Sequence, residues 1–107
     1  MKKDYFKETL EKMQDIKTKK NTDYGNSFSK SIDKYGFISA FVRIDDKIER
    51  ITNLLNSDTV LVEDEKIDDT LLDGANYMVL TLEEYKKRKD ENKPIHFINP
   101  NLIKTNG

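Results

Sequence analysis

Three clusters of polar residues are spaced in ways that chemistry can use. Glu65, Asp69 and Asp73 recur at every fourth position, so on a helix they stack three carboxylates along one face, about 6 Å apart per step. Isolated, neighbouring carboxylates repel by a few tenths of a kcal/mol per pair. A divalent cation removes that repulsion, because Mg²⁺ accepts carboxylate oxygens together with water and substrate phosphates. The bland reading is a solvated face whose acids favour the positive end of the helix dipole. That reading covers Glu63, Asp64 and Glu65, whereas Asp73 and Asn76 sit too deep in the helix for it.

Arg43, Asp46, Lys47 and Arg50 form a second row on one helical face. They either pair among themselves, for under ~0.5 kcal/mol per pair, or present guanidinium and ammonium groups to phosphate oxygens, with Asp46 joining the acidic row around a metal. The third cluster, Lys20-Asn21-Thr22-Asp23-Tyr24-Gly25-Asn26-Ser27-Phe28, offers a glycine turn whose backbone N–H groups can cradle an anion. Tyr24 or Phe28 then either stacks on a base, worth ~1–3 kcal/mol in single-strand binders, or closes one end of the core. The run Lys86-Lys87-Arg88-Lys89 matches the negative end of a helix dipole. His96, beside Phe97, is expected to pack or to hydrogen-bond rather than to ligate.

Helices must position these clusters. The spacing predicts a one-faced amphipathic helix over about 4–19, with Tyr5, Phe6, Leu10, Met13 and Ile16 inward. A turn-rich loop is expected over 21–31. A second helix over 37–56 carries the stripe Phe37, Ala40, Phe41, Ile44, Ile48, Ile51 and Leu55, with Asp45 and Glu49 on a separate flank. Asn56–Thr59 reads as a turn, and Val60-Leu61-Val62 as a packed approach to a third helix over about 63–88. That helix has a heptad-like stripe of Ile67, Leu71, Gly74, Ala75, Met78, Leu82 and Tyr85. Gly74 and Ala75 would admit a close neighbour. Leu72, Val79 and Leu80 lie beside the acidic row, so this second face is expected to meet something. The prolines at 94 and 100 argue against helix in the tail, which reads as an extended arm docking on its own domain or on a partner subunit.

The expected fold is therefore all-α: a single domain over 1–107, a bundle of three main helices (core about 4–88) with a C-terminal arm over 89–107. Three helices with a semi-apolar second face on the longest rarely suffice alone, so completion by a homodimer is expected.

Composition removes several classes of function. Of 107 residues, 19 are basic and 20 acidic, giving a net charge of -1; tight duplex DNA binding by counterion release needs a basic excess. Mean hydropathy is -0.80, and no apolar run nears the ~20 residues of a membrane span. With no cysteine and one histidine, disulfides, thiolate nucleophiles, Cys-ligated zinc and His-rich metal sites are excluded. The simplest expected location is a reducing cytoplasm. Chemistry falls to carboxylates, Lys, Arg and amides.

Four motifs in order resemble a known family: Lys20-x-x-Asp23-Tyr24-Gly25-x-Ser27-Phe28, Tyr35-Gly36, Arg43-x-x-Asp46-Lys47-x-x-Arg50, and Glu65-x-x-x-Asp69-Thr70-Leu71-Leu72-Asp73-x-Ala75-Asn76-Tyr77. Over about residues 16–85 the chain resembles the first of the nucleotide modification associated domains, small all-helical proteins common in phages and prophages. Gly74 departs from that pattern, replacing a large aliphatic residue. The layout is also similar to the MazG-like and dimeric dUTPase-like all-α nucleoside triphosphate pyrophosphatases, which hold Mg²⁺ with acidic residues on two adjacent helices. The usual Glu-x-x-Glu pair on the second helix is absent here.

The resemblance implies a nucleotide-binding protein linked to nucleotide or base modification. Hydrolysis of a nucleoside triphosphate would place Glu65, Asp69 and Asp73 as catalytic carboxylates. Asp46 would join them in holding Mg²⁺. Lys20, Arg43, Lys47 and Arg50 would meet phosphates, and Asp23, Tyr24 and Asn76 would position base or sugar. Two other classes stay open: a non-catalytic module that sequesters a nucleotide, and an interaction protein whose charged rows pair across helices.

Overall fold

The structure, a computed structural model, describes residues 2–56 and 65–103; the side chains of residues 20–25, 65, 66 and 103 lie outside the described residues. The described chain is helical throughout its body: α1 (Tyr5–Tyr35), α2 (Ile38–Asn56), α3 (Glu65–Asp90) and a single turn, α4 (Pro100–Ile103). The expected approach segment Val60-Leu61-Val62 lies outside the described residues.

The first helix runs straight through the segment expected to be a loop. Asp4 caps it, its carboxylate accepting from the Lys7 N–H at 3.0 Å. The 31-residue helix then continues across Asn21–Ser31 to Tyr35. Packing overrides the local turn chemistry. Phe28 and Ile32, one turn apart, are only 1% and 4% exposed, and burying two such side chains stabilises by roughly 1.5–3 kcal/mol each. A mid-helix glycine such as Gly25 costs about 1 kcal/mol.

Phe28, Ile32, Phe37 and Ala40 form the buried cluster, with Tyr77 and Leu80 packed against it. Helices α2 and α3 are antiparallel: Phe37 meets the edge of Tyr85 at 6.5 Å, and ten residues on, the Lys47 Cβ lies 3.6 Å from where a Cβ on Gly74 would sit. The missing side chain at Gly74 is what lets the two helices close at that level.

The face that α3 turns inward differs from the one its apolar pattern suggests. Thr70 and Arg88 are buried and Tyr77 joins the core, whereas Leu71, Met78, Leu82 and Tyr85 remain 43–55% exposed. At 100° per residue the buried face is centred about 100° from the heptad-like stripe. The stripe's apolar character is real, but the helix turns a mixed polar and aromatic face to the core.

The tail docks on its own domain. The N–H groups of Phe37 and Ile38 donate to the carbonyls of His96 and Phe97 at 2.9 and 2.8 Å, and the Asn99 N–H donates to the Tyr35 carbonyl at 2.8 Å. The Asn99 amide also donates to the carbonyls of Asp33 and Lys34, satisfying the end of α1. Gly36 permits the approach: its φ is 100°, and a Cβ there would lie 2.5 Å from the Phe97 carbonyl oxygen. The arm is not wholly extended, because α4 opens at Pro100, where a proline at the first helical position loses no hydrogen bond. The Asn99 side-chain oxygen accepts from the Asn101 N–H at 3.0 Å and caps that turn.

Candidate functional site

The charged rows expected on α2 and α3 meet on the side of the α2–α3 pair that α1 covers. Lys47 Nζ lies 3.4 Å from Asp73 Oδ2 across the seam, and the lysine side chain is only 24% exposed. One turn earlier on α2, Arg43 turns toward α1. Its guanidinium sits 5.5 Å from the centroid of the Phe28 ring and donates to Ser31 Oγ at 3.3 Å. Phe28 also stacks with Tyr77, with 6.0 Å between centroids. At 1% exposure it has no free face, so of its two expected roles it takes the core one.

Sequence-expected residues divide into three groups. Lys47 and Asp73 are brought together, Arg43 lies one turn earlier on α2 against Ser31 and Phe28, all three are partly shielded, and Asn76 is half-buried one turn along α3. Asp46, Arg50 and Asp69 belong to the same rows but are exposed. The side chains of Lys20, Asp23, Tyr24 and Glu65 lie outside the described residues, although their backbones are helical.

A metal has to be judged on what these residues offer. Among the described residues no three His, Cys, Asp or Glu gather in a metal-holding group, and Asp73 already carries a lysine partner. Mg²⁺, however, commonly takes only one or two protein carboxylates and fills its octahedron with waters and substrate phosphates. The described donor set thus suits an ion that arrives with a polyphosphate, not one held by protein alone.

A groove of about 680 Å³ opens between α1 and α3, and Arg43, Lys47, Asp73 and Asn76 are not among the residues that line it. Phe28, Ser29, Lys30 and Leu80 line it together with Lys86 and Lys87. Lys17 and Glu83 form an ion pair at its rim. The volume falls within the range of small-ligand sites. Leu80 follows Asn76 by one helical turn, so the groove continues the line of Asp73 and Asn76 along α3.

The residue that sequence reading missed is Arg88. Far from being a solvated member of a basic run, it is 7% exposed. It bridges Asp33 at 2.7 Å, Glu84 at 3.1 Å and the Ser29 carbonyl at 3.1 Å. Its guanidinium also lies over Phe37. This hub locks the C-terminal half of α1 onto α3. The available signal was spacing: Thr70, Tyr77 and Glu84 repeat every seven residues and Arg88 follows Glu84 by four, so all four share one face.

No described helix is long and apolar enough to cross a membrane. The family model described as nucleotide modification associated domain 1 matches residues 20–84, a span that takes in the second half of α1, all of α2 and most of α3. No curated protein and no solved structure matches the chain.

Proposed function

The chain belongs to the nucleotide modification associated domain 1 family, and from that premise we propose that it binds a phosphorylated nucleoside on the α1 side of the α2–α3 seam. The observation that carries this reading is the pair of shielded cations, Arg43 and Lys47, on successive turns of α2, with Arg43 packed on Phe28, a residue that also lines a groove of about 680 Å³ between α1 and α3. Shielded cations interact with phosphate more strongly than fully solvated ones, because the local dielectric is lower. Arg43 supplies a planar fork suited to bidentate contact and Lys47 a point charge. Arg50 extends the row by one turn, and Lys20 adds a cation from α1. The groove takes base and sugar, with Asn76, one helical turn before the groove-lining Leu80, free to donate or accept; Asp23 and Tyr24 are the α1 residues that the family motif adds, their side chains lying outside the described residues.

In this reading Asp73 holds Lys47 in place until phosphate arrives. A divalent cation accompanying the phosphates would be met by Asp69 and Asp73, with Glu65 and Asp46 the further carboxylates of the rows. When bound, such an ion supplies charge neutralisation and, in hydrolases, a more acidic water.

Binding is tested by thermal melting against a panel of nucleoside mono-, di- and triphosphates, with and without Mg²⁺. A ligand present at a hundred times its Kd adds about 2.7 kcal/mol of stability, so a clear upward shift is expected for at least one nucleotide. Lys47→Ala and Arg43→Ala should each remove it. Pyrophosphate measured in the same samples separates turnover from binding alone. A second reading has one specific observation in its favour: the direct Lys47–Asp73 pair is what charged rows that only join helices would show. A protein whose melting no nucleotide moves, and whose stability Lys47→Ala lowers through loss of that pair, is the outcome that reading expects.

A further inference from the structure

The side of the α2–α3 pair away from α1 is apolar and, among the described residues, largely uncovered. Two sets of contacts fix its position. On α2, Arg43 points to α1 and Lys47 to α3; on α3, Tyr77 and Arg88 point to α1 and Gly74 to α2. Continuing round each axis in the same sense, the next residues are Phe41, Ile48 and Leu55 on α2, and Leu71, Met78 and Leu82 on α3. In an antiparallel pair these two stripes fall on one common face. All six side chains are 44–63% exposed, and no charged residue interrupts either stripe between Phe41 and Leu55 or between Leu71 and Leu82 at those angles. Phe97 of the arm, 5.9 Å from Phe41 between centroids, extends the patch.

We infer that this face is closed by the same face of a second copy of the chain, the two α2–α3 pairs forming a four-helix core. Area is the first argument. The chain exposes 8597 Å², whereas a compact 12.5 kDa monomer exposes about 6,200 Å². The excess, roughly 2,400 Å², is what one subunit of an obligate dimer can lose at its interface. Some belongs to the N-terminal end of α1, where Tyr5 and Phe6 stand exposed. The six half-exposed apolar side chains of the α2–α3 face contribute to it as well.

The second argument is permanence. Among the described residues only Phe28, Ile32, Phe37, Ala40 and Ile44 are buried apolar side chains, a thin core for a domain of this size. The missing burial is needed whenever the chain is folded, so its cover must be present at all times. A second copy meets that condition at every level of expression. Two antiparallel helices with one apolar face are also half of a four-helix bundle, and a two-fold axis supplies the other half. The face is not the one beside the acidic row, so pairing leaves the proposed nucleotide site on the outside of each subunit.

Light scattering on the full chain measures the mass, and the absence of native cysteine allows single-cysteine variants to map the contact. Expected are a mass of twice 12.5 kDa at micromolar concentration and cross-linking of Ile48→Cys or Met78→Cys by a bismaleimide that spans a four-helix bundle. Lys30→Cys, on α1, should give no cross-link. Met78→Glu should yield single chains or chains whose helicity rises with concentration. A fully helical single-chain mass for the wild type would overturn the inference. So would a two-chain mass in which only Lys30→Cys cross-links.

Discussion

The two sides of the α2–α3 pair solve opposite problems. The side under α1 is closed with polar groups: Arg88 holds Asp33, Glu84 and Ser29 together, Arg43 sits between Phe28 and Ser31, and Lys47 meets Asp73. Each buried charge there has a partner, and no described buried side-chain polar atom lacks a hydrogen bond. The far side is closed with nothing: Phe41, Ile48, Leu71 and Met78 are each about half exposed. A hairpin of two helices can thus keep chemistry and assembly on separate faces. Paired charges under α1 give geometry and a place for anions; the bare apolar side gives the burial that a small core lacks.

The comparison breaks hardest at Arg88. Arg88→Ala should cost about 3–5 kcal/mol in denaturant unfolding, because it leaves the Glu84 carboxylate, only 12% exposed, without its partner. A loss under 1 kcal/mol would mean that the polar side is not held by this hub. The arm joins the two sides, Asn99 on the α1 end and Phe97 on Phe41. Gly36→Ala meets both a positive φ and the Phe97 carbonyl, so a cost of about 1–3 kcal/mol is expected, with protease cleavage in the arm accelerated. Smallest is Gly74→Ala. The new methyl meets the Lys47 Cβ at an ordinary 3.6 Å, so the change should raise stability by about 0.5–1 kcal/mol and leave the seam intact; a loss would show that the helices are closer there than the contact indicates.

Helical period and composition were enough to reveal the class of fold, the ends of α2 and the length of α3, because apolar residues recur strongly there. They misled at Asn21–Ser31, where seven turn-forming residues mask a helix fixed by Phe28 and Ile32. Their burial is long-range and leaves no local mark. They also misassigned the inward face of α3. The most apolar stripe, Leu71–Met78–Leu82, was the obvious candidate for the core, while the true inward face holds Thr70, Glu84 and Arg88, residues that sequence alone reads as surface. A polar face that packs and an apolar face that does not is the pattern expected where part of the core is completed by another chain. Within the site, helical spacing puts Lys47 and Asp73 in the two rows that meet, and the structure pairs them. The separation of Asp46, Arg50 and Asp69 toward solvent depends on where α1 crosses, which no spacing encodes.

Which side meets a nucleotide is read most directly from nuclear magnetic resonance shifts of backbone amides and methyl groups during titration with a nucleoside triphosphate and Mg²⁺. The expected perturbations gather at Ser31, Arg43, Lys47, Asp73 and Asn76 and leave the methyl groups of Ile48 and Met78 unmoved. Shifts centred on Ile48, Met78 and Leu82, or a titration that moves no resonance, would contradict a phosphate site on the α1 side.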